Sequence, residues 1–213
     1  MANNLVITIG RQFGSGGRQI GKLLSEKLSI PYYDKEILAV AAKDSGICEE
    51  LLEHHDEKPT RSLLFSLVTG AQMHNSLGST YMDMPLNHKI FLAQFDAIRR
   101  VASEGPCVIV GRCADYVLRD KPNAVKLFVK ADMRQRMERA VAVHNVAIDK
   151  AEDYVRKMDK QRASYYNYYA TNTWGDINNY DLCLDTGKLG IEGSVELILE
   201  YLALREKALK GSK

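Results

Sequence analysis

The stretch Gly10-Arg11-Gln12-Phe13-Gly14-Ser15-Gly16-Gly17-Arg18-Gln19 has residue types that suit holding an anion. Glycines at 14, 16 and 17 remove the Cβ clashes that would stop successive amides curling around a phosphate. A helix that begins here points its unpaired N–H groups and its positive end at the same spot. Arg18 adds a fixed charge at the helix start, and Ser15 can donate a hydroxyl. The expected phosphate site is therefore Gly14, Ser15, Gly16, Gly17, Arg18 and Gln19. An ordinary strand-to-helix turn rarely needs three glycines beside an arginine.

Two known phosphate strings fit imperfectly. The dinucleotide fingerprint GxGxxG lacks its last glycine in Gly14-Ser15-Gly16-Gly17-Arg18-Gln19, although Asp34 could serve as the acidic residue expected further on. The string GxxxxGK[ST] is incomplete as well. Setting its final glycine on Gly17 puts Gln12 at the first glycine, Arg18 at the lysine and Gln19 at the serine or threonine. Arginine is a planar fork where lysine is a compact point charge. Gln19 then has only an amide oxygen to offer Mg²⁺, so the metal ligands stay open.

Other charged residues fall at positions suited to phosphoryl transfer, which needs cations around the moving group and little covalent help. Arg112 follows Gly111 at the carboxyl end of a buried strand, the edge where open parallel sheets bind ligands. Asp34 follows Tyr33 at the same edge, and its other reading is a helix cap. Arg136 and Arg139 share a helical face at i,i+3 spacing and are preferred to Arg134 as phosphate-closing groups. Asp159 and Arg162 border the site or simply pair with each other. Tyr165, Tyr166, Tyr168, Tyr169 and Trp174 form an aromatic cluster that suits base stacking, core or interface alike. The five histidines lack ligand spacing.

These residues need a scaffold, and the apolar pattern supplies one. Strands are expected at 5–9, 31–33, 107–110, 124–129 and 180–184, separated mostly by helices. The helices are expected at 19–28, 35–43, 87–104, 131–143, 150–169 and 191–209. This is an α/β three-layer sandwich with a five-stranded parallel sheet. Residues 45–100 read as a helical insertion with a loop at 75–85, and residues 134–175 as an arginine-bearing lid within one domain spanning 1–213.

The chain has 213 residues, 46% of them hydrophobic, enough for a sizeable core. With 29 basic and 27 acidic residues, the net charge of +2 gives no reason to expect a nucleic-acid partner. The N-terminus lacks the pattern of a signal peptide, and no apolar run has membrane-spanning length. Of four cysteines, none sits in a CxxC pair; Cys107 and Cys183 read as small buried hydrophobes. The expected setting is the reducing cytoplasm.

The opening ITIGRQFGSGGRQIGKLLSEKLSIPYYDKEIL resembles the N-terminal signature of the cytidylate-kinase-like branch of the P-loop nucleoside monophosphate kinases. VIVGRCADYVL, VKLFVKADMRQRMER, DKQRASYY and NNYDLCLDTGKLGIEGSVELI resemble later segments of that family. The resemblance spans nearly the whole chain and is weakest over 45–100. It implies a P-loop kinase fold, with ATP and Mg²⁺ at Gly14 to Arg18 and a small nucleotide, such as CMP, as acceptor. It implies that Arg112 contacts the acceptor phosphate, that Asp34 faces the acceptor, and that Asp159 and Arg162 border the site. It places Arg134, Arg136 and Arg139 in the lid. This sequence departs from the family where a lysine and a serine or threonine are usual, and again at Val110 and Cys113, where carboxylates are usual. A nucleotide-binding protein with little turnover, acting as sensor or interaction module, is the alternative. Acceptor identity and oligomeric state stay open.

Overall fold

A computed structural model describes residues 4–57 and 84–211. The elements in chain order are β1 (Val6–Arg11), α1 (Gly17–Leu28), β2 (Tyr32–Tyr33), α2 (Glu36–Ser45), α3 (Glu49–His55) and α4 (Leu86–Glu104). They continue with β3 (Cys107–Val110), α5 (Ala114–Val117), β4 (Ala124–Lys130), α6 (Met133–His144), α7 (Ala151–Tyr169), β5 (Leu182–Asp185) and α8 (Thr186–Gly211). The strands form one parallel sheet in the order β2-β3-β1-β4-β5. β1 lies at its centre, so its carboxyl end faces the crevice where the connections diverge to either side.

Alternation along the strands divides the core in two. Ile7, Ile9, Val108, Val110, Val125, Leu127 and Val129 pack with Ile20 and Leu24 of α1 and Val195 and Ile198 of α8. Val6, Cys107, Ile109 and Ala124 pack on the other face with Ile37, Leu38 and Ala41 of α2 and Ala97, Ile98 and Val101 of α4. β3 is apolar throughout, as a strand buried on both faces should be, while β1 and β4 carry Thr8 and Lys126 within otherwise apolar runs. The result is the three-layer sandwich expected from the sequence. α6 and α7 pack on each other beside the carboxyl edge, around Phe13, Ala140 and Val155.

The differences from the sequence pattern have local causes. β1 runs on to Arg11 because Gly10 and Arg11 stay in register with Phe128 and Val129 of β4. α8 gains a turn at Thr186 ahead of Gly190, whose φ of 69° breaks the helix. Cys183 is exposed, contrary to expectation, because β5 is an edge strand; Cys107 is buried as expected. Much of the expected 45–100 insertion, residues 58–83, lies outside the described residues. Its described flanks are α3 and α4, and α4 belongs to the core layer. Among the described residues no helix is long and apolar enough to cross a membrane.

Ile98 is fully buried between α4 and the sheet. Ile98→Ala should lower the unfolding free energy by about 2–5 kcal/mol, read from urea denaturation. A loss far below that range would mean that α4 does not close this face of the core.

Candidate functional site

The glycine turn joins β1 to α1 and is fastened from outside. Phe13 N–H donates to Asp159 Oδ1 of α7 at 2.7 Å. Thr186 Oγ1 donates to the Ser15 carbonyl at 2.8 Å, and Arg139 Nη1 of α6 to the Gly14 carbonyl at 3.1 Å. Ser15 Oγ donates to the Gln12 carbonyl at 2.8 Å. Gly14 and Gly16 take left-handed φ values of 73° and 84°. A Cβ on Gly14 would lie 2.5 Å from the Arg136 carbonyl oxygen, and one on Gly16 would lie 2.3 Å from Ile191 Cδ1. Both glycines are therefore needed for backbone conformation and for close approach of neighbouring elements. Gly16 caps α1 without any side-chain hydrogen bond, so the first N–H groups of the helix keep their donors for a ligand.

The turn opens on a pocket of about 150 Å³ walled by Arg11, Arg18, Arg139 and Arg162 together with turn residues, Val143 and His144. Its lining holds four arginines and no carboxylate. Such a cavity beside a helix N-terminus selects an anion. Arg18 is 45% exposed and its Nε pairs with Asp34 Oδ2 at 2.6 Å. Phe13 packs against His144 with ring centres 4.8 Å apart and planes tilted by 40°, and the Arg162 guanidinium lies 5.5 Å from the Phe13 ring centre. Burial, with Arg18 and Arg162 nearby, pushes His144 down.

A second, narrower pocket lies across Arg11 and Arg162, which line both. Its other walls include Gly111, Arg112, Cys113, Asp115, Tyr165, Tyr166 and Trp174. Here β3 ends in three successive left-handed residues, Gly111, Arg112 and Cys113, with φ of 79°, 51° and 56°. The bend drives the Arg112 side chain inward until it is 1% exposed, against Asp34 at 3.2 Å and Asp56 at 2.6 Å. Glu57 fills the centre. It accepts from Arg11 Nη1 at 2.7 Å and Nη2 at 3.1 Å, from Arg162 Nε at 3.2 Å and from the Arg112 N–H at 3.1 Å. Burial alone would raise the Glu57 carboxyl, but Arg11, Arg162 and Arg112 outweigh it and hold the group well below its ordinary 4.5. Burial and the neighbouring Arg11 pull Arg162 down to about 10. Burial would lower Arg112 too, yet Asp56, Glu57 and Asp34 turn its net shift upward.

The profile of the cytidylate kinase-like family matches residues 6–188. The chain belongs to that family. Among curated relatives it is similar to the cytidylate kinase of Pyrococcus horikoshii, 24% identical over 92% of this chain and 87% of that one. The cytidylate kinase of Methanococcus aeolicus is 24% identical over 95% of this chain and all of the other. Among solved structures, an uncharacterized protein from Eubacterium ventriosum superposes with a TM-score of 0.68 at 29% identity, covering 93% of this chain and 98% of that one. Shikimate kinase from Bacteroides thetaiotaomicron shares the fold, with a TM-score of 0.55 at 14% identity over 93% and 98% of the two chains.

Within this cytidylate kinase-like frame the structure gathers most of the residues singled out in the sequence. Gly14, Gly16, Gly17, Arg18, Gln19, Arg139 and Arg162 wall the first pocket, and Arg112 the second. Ser15 is buried beneath the turn. Asp34 lies between Arg18 and Arg112. Asp159 and Arg136 pair with each other and serve the turn's outer side, with Asp159 holding the Phe13 N–H. Arg162 turns away from Asp159 to Glu57. Arg134 is largely exposed and pairs with Glu138. The aromatic cluster ties α7 to α4 and α5. Tyr169 stacks on Phe91 at 4.0 Å, Tyr165 donates to Gln94 and Tyr166 to Asp115.

Sequence reasoning missed Arg11, Asp56, Glu57, Asp115 and Thr186. Arg11 had a signal, since it directly precedes the glycine turn. Asp56 and Glu57 stand in the polar run His54-His55-Asp56-Glu57-Lys58-Pro59, and only the fold brings them to the strand ends.

The depressed Glu57 carboxylate contributes stability that is complete above about pH 4.5 and lost as pH falls toward its folded value. Glu57→Gln should therefore be less stable than wild type at pH 7 by about 1.5–3 kcal/mol. The gap should close as both proteins are unfolded at successively lower pH. A gap that stayed constant with pH would remove Glu57 from the acid-labile charges.

Proposed function

We propose that the protein transfers a phosphoryl group from ATP to a nucleoside monophosphate, with CMP the leading acceptor. The observation that carries this reading is the pair of pockets at the carboxyl edge that share Arg11 and Arg162 as a common wall. One pocket suits a donor and the other an acceptor, and the shared guanidinium groups stand between them.

The residues fit a nucleotide on the donor side. No carboxylate lines that pocket, although Arg11 and Arg162 pair with Glu57 and Arg18 with Asp34 at its edge, and the α1 amides lack a side-chain cap. Gly14 to Arg18 would hold the triphosphate through backbone N–H groups, with Arg139 and Arg18 as flanking charges. When bound, MgATP supplies the phosphoryl group and the ion that offsets its charge. Among the described residues no group of three His, Cys, Asp or Glu gathers to hold a metal. That suits an ion carried mainly by phosphate oxygens and water, with Gln19 as its side-chain candidate. On the acceptor side Arg112 would meet a phosphate in exchange for one of its carboxylates, and Asp34 would face the acceptor. Tyr165, Tyr166 and Trp174 offer ring faces at the same wall. α6 and α7, within residues 134–175, act as the lid, with Arg136 bracing the turn through Asp159. The acceptor-side insertion, 45–100, completes the single domain.

The second reading, a nucleotide binder with little turnover, draws support from Glu57, whose carboxylate fills the junction of the pockets. ADP release from MgATP, measured over the common nucleoside monophosphates, separates the two. Turnover above the acceptor-free rate, greatest with CMP, is the expected result. Tight ATP binding without acceptor-dependent release would establish the second reading. Arg18→Ala should weaken ATP binding about tenfold in calorimetry, with partial recovery in Arg18→Lys. Unchanged affinity in a folded Arg18→Ala protein would leave the backbone amides as the donor contact.

A further inference from the structure

Where β1 ends and α1 begins defines the register of the turn. β1 runs to Arg11, Gly16 is the left-handed cap, and Gly17 is the first helical residue. With the second glycine of GxxxxGK[ST] on that cap, Arg11 takes the place of the first glycine and Gly17 the place of the lysine. The two positions have exchanged the side chain and the bare backbone. Space confirms the exchange: a Cβ on Gly17 would lie 2.8 Å from Arg11 Cβ and 3.2 Å from Arg11 Cγ. A side chain at 17 and that of Arg11 claim one channel, and Arg11 occupies it.

Arg11 is 5% exposed, and its guanidinium stands in the common wall of the two pockets. Its Nε is buried without a hydrogen-bond partner. Both of its terminal nitrogens are spent on Glu57, the carboxylate that also collects Arg162 Nε and the Arg112 N–H. Four N–H donors from three residues thus converge on one pair of oxygens. A bidentate guanidinium, a second guanidinium and a backbone N–H are the donors that a phosphoryl group in transfer requires. An internal carboxylate fills that donor set.

We propose that Arg11 is the phosphoryl-binding cation of this site, delivered from the end of β1 instead of from the helix, and that the Glu57 carboxylate occupies the oxyanion position until a phosphate displaces it. This rests on the reading of the turn as a phosphate site, and on nothing about the acceptor. The exchange replaces one anion by another, so no guanidinium is left buried and unpaired at any stage. A phosphate also brings more negative charge than a carboxylate to Arg162, which Glu57 shares with Arg11.

The test is calorimetric titration of inorganic pyrophosphate, and of ATP, into the full chain and its variants, with circular dichroism to establish folding. Arg11→Met should lose about ten- to a hundred-fold in affinity, and Arg11→Lys should fall between it and wild type. Gly17→Lys alone should bind poorly because its side chain meets Arg11. The double change Arg11→Gly with Gly17→Lys should bind better than either single change, since it restores the usual order. Glu57→Gln should bind pyrophosphate more tightly than wild type, and pyrophosphate should raise its Tm by more. Wild-type affinity in Arg11→Met, or a double variant no better than its parents, overturns the assignment of Arg11. Weaker binding by Glu57→Gln overturns the displacement and leaves Glu57 as a group that positions Arg11. Failure of the wild type to bind either compound would instead overturn the phosphate reading of the turn.

Discussion

Guanidinium groups can be buried at strand ends only if carboxylates are buried with them, because an unpaired charge out of water costs several kcal/mol. Arg11 and Arg112 project from the carboxyl ends of β1 and β3, Arg162 reaches in from α7, and the compensating groups are Asp34, Asp56 and Glu57. Much of the local architecture follows from this balance. α3 ends at His55, and the extended residue after it brings Asp56 and Glu57 to the sheet edge. Gly111 has no side chain because a Cβ there would lie 2.1 Å from Arg11 Nη1 and 2.4 Å from Glu57 Oε1. Arg112 and Cys113 take left-handed backbone angles, unfavourable for residues with a Cβ, because that bend turns Arg112 into the carboxylates.

The glycine turn is held by a different set of contacts. α6 supplies Arg139 to one of its carbonyls, α7 supplies Asp159 to one of its amides, and Thr186 beyond β5 takes another carbonyl. Asp159 and Thr186 act from outside, whereas Arg139 also lines the pocket on which the turn's backbone N–H groups open. The same contacts mean that α6 and α7 cannot shift far without deforming the turn. The position of this helix pair and the geometry of the glycine turn are therefore coupled.

The fold was legible in the sequence because both of its signals are local. Runs such as Cys107-Val108-Ile109-Val110 are apolar at every position, and α1 carries Ile20, Leu23 and Leu24 on one face. The glycine turn was legible for the same reason. The acidic half of the site was not. Asp56 and Glu57 sit in a polar break with two histidines before them and Lys58-Pro59 after, which has the composition of a solvated loop. Their importance comes from partners 46 and 55 residues away in sequence, Arg11 and Arg112. Asp159 and Arg162 look like an i,i+3 pair, and only tertiary packing directs them to different partners. Arg11 was passed over because the string was set with its final glycine on Gly17, which made Arg18 the stand-in for the lysine, whereas the cap of α1 is Gly16.

Asp34 takes part in both halves of the site. One of its oxygens holds Arg18 of the turn at 2.6 Å and the other holds Arg112 of the opposite wall at 3.2 Å. A ligand that draws Arg18 away leaves this carboxylate wholly to Arg112, and a ligand that engages Arg112 strengthens the hold on Arg18. The two pockets are thereby joined by a shared counter-ion, and any free energy passed between them is reciprocal. If anions filled both pockets they would compete through this one carboxylate, and linkage makes such a coupling equal in the two directions. An affinity measured at one pocket would then be a conditional quantity, defined only at a stated occupancy of the other.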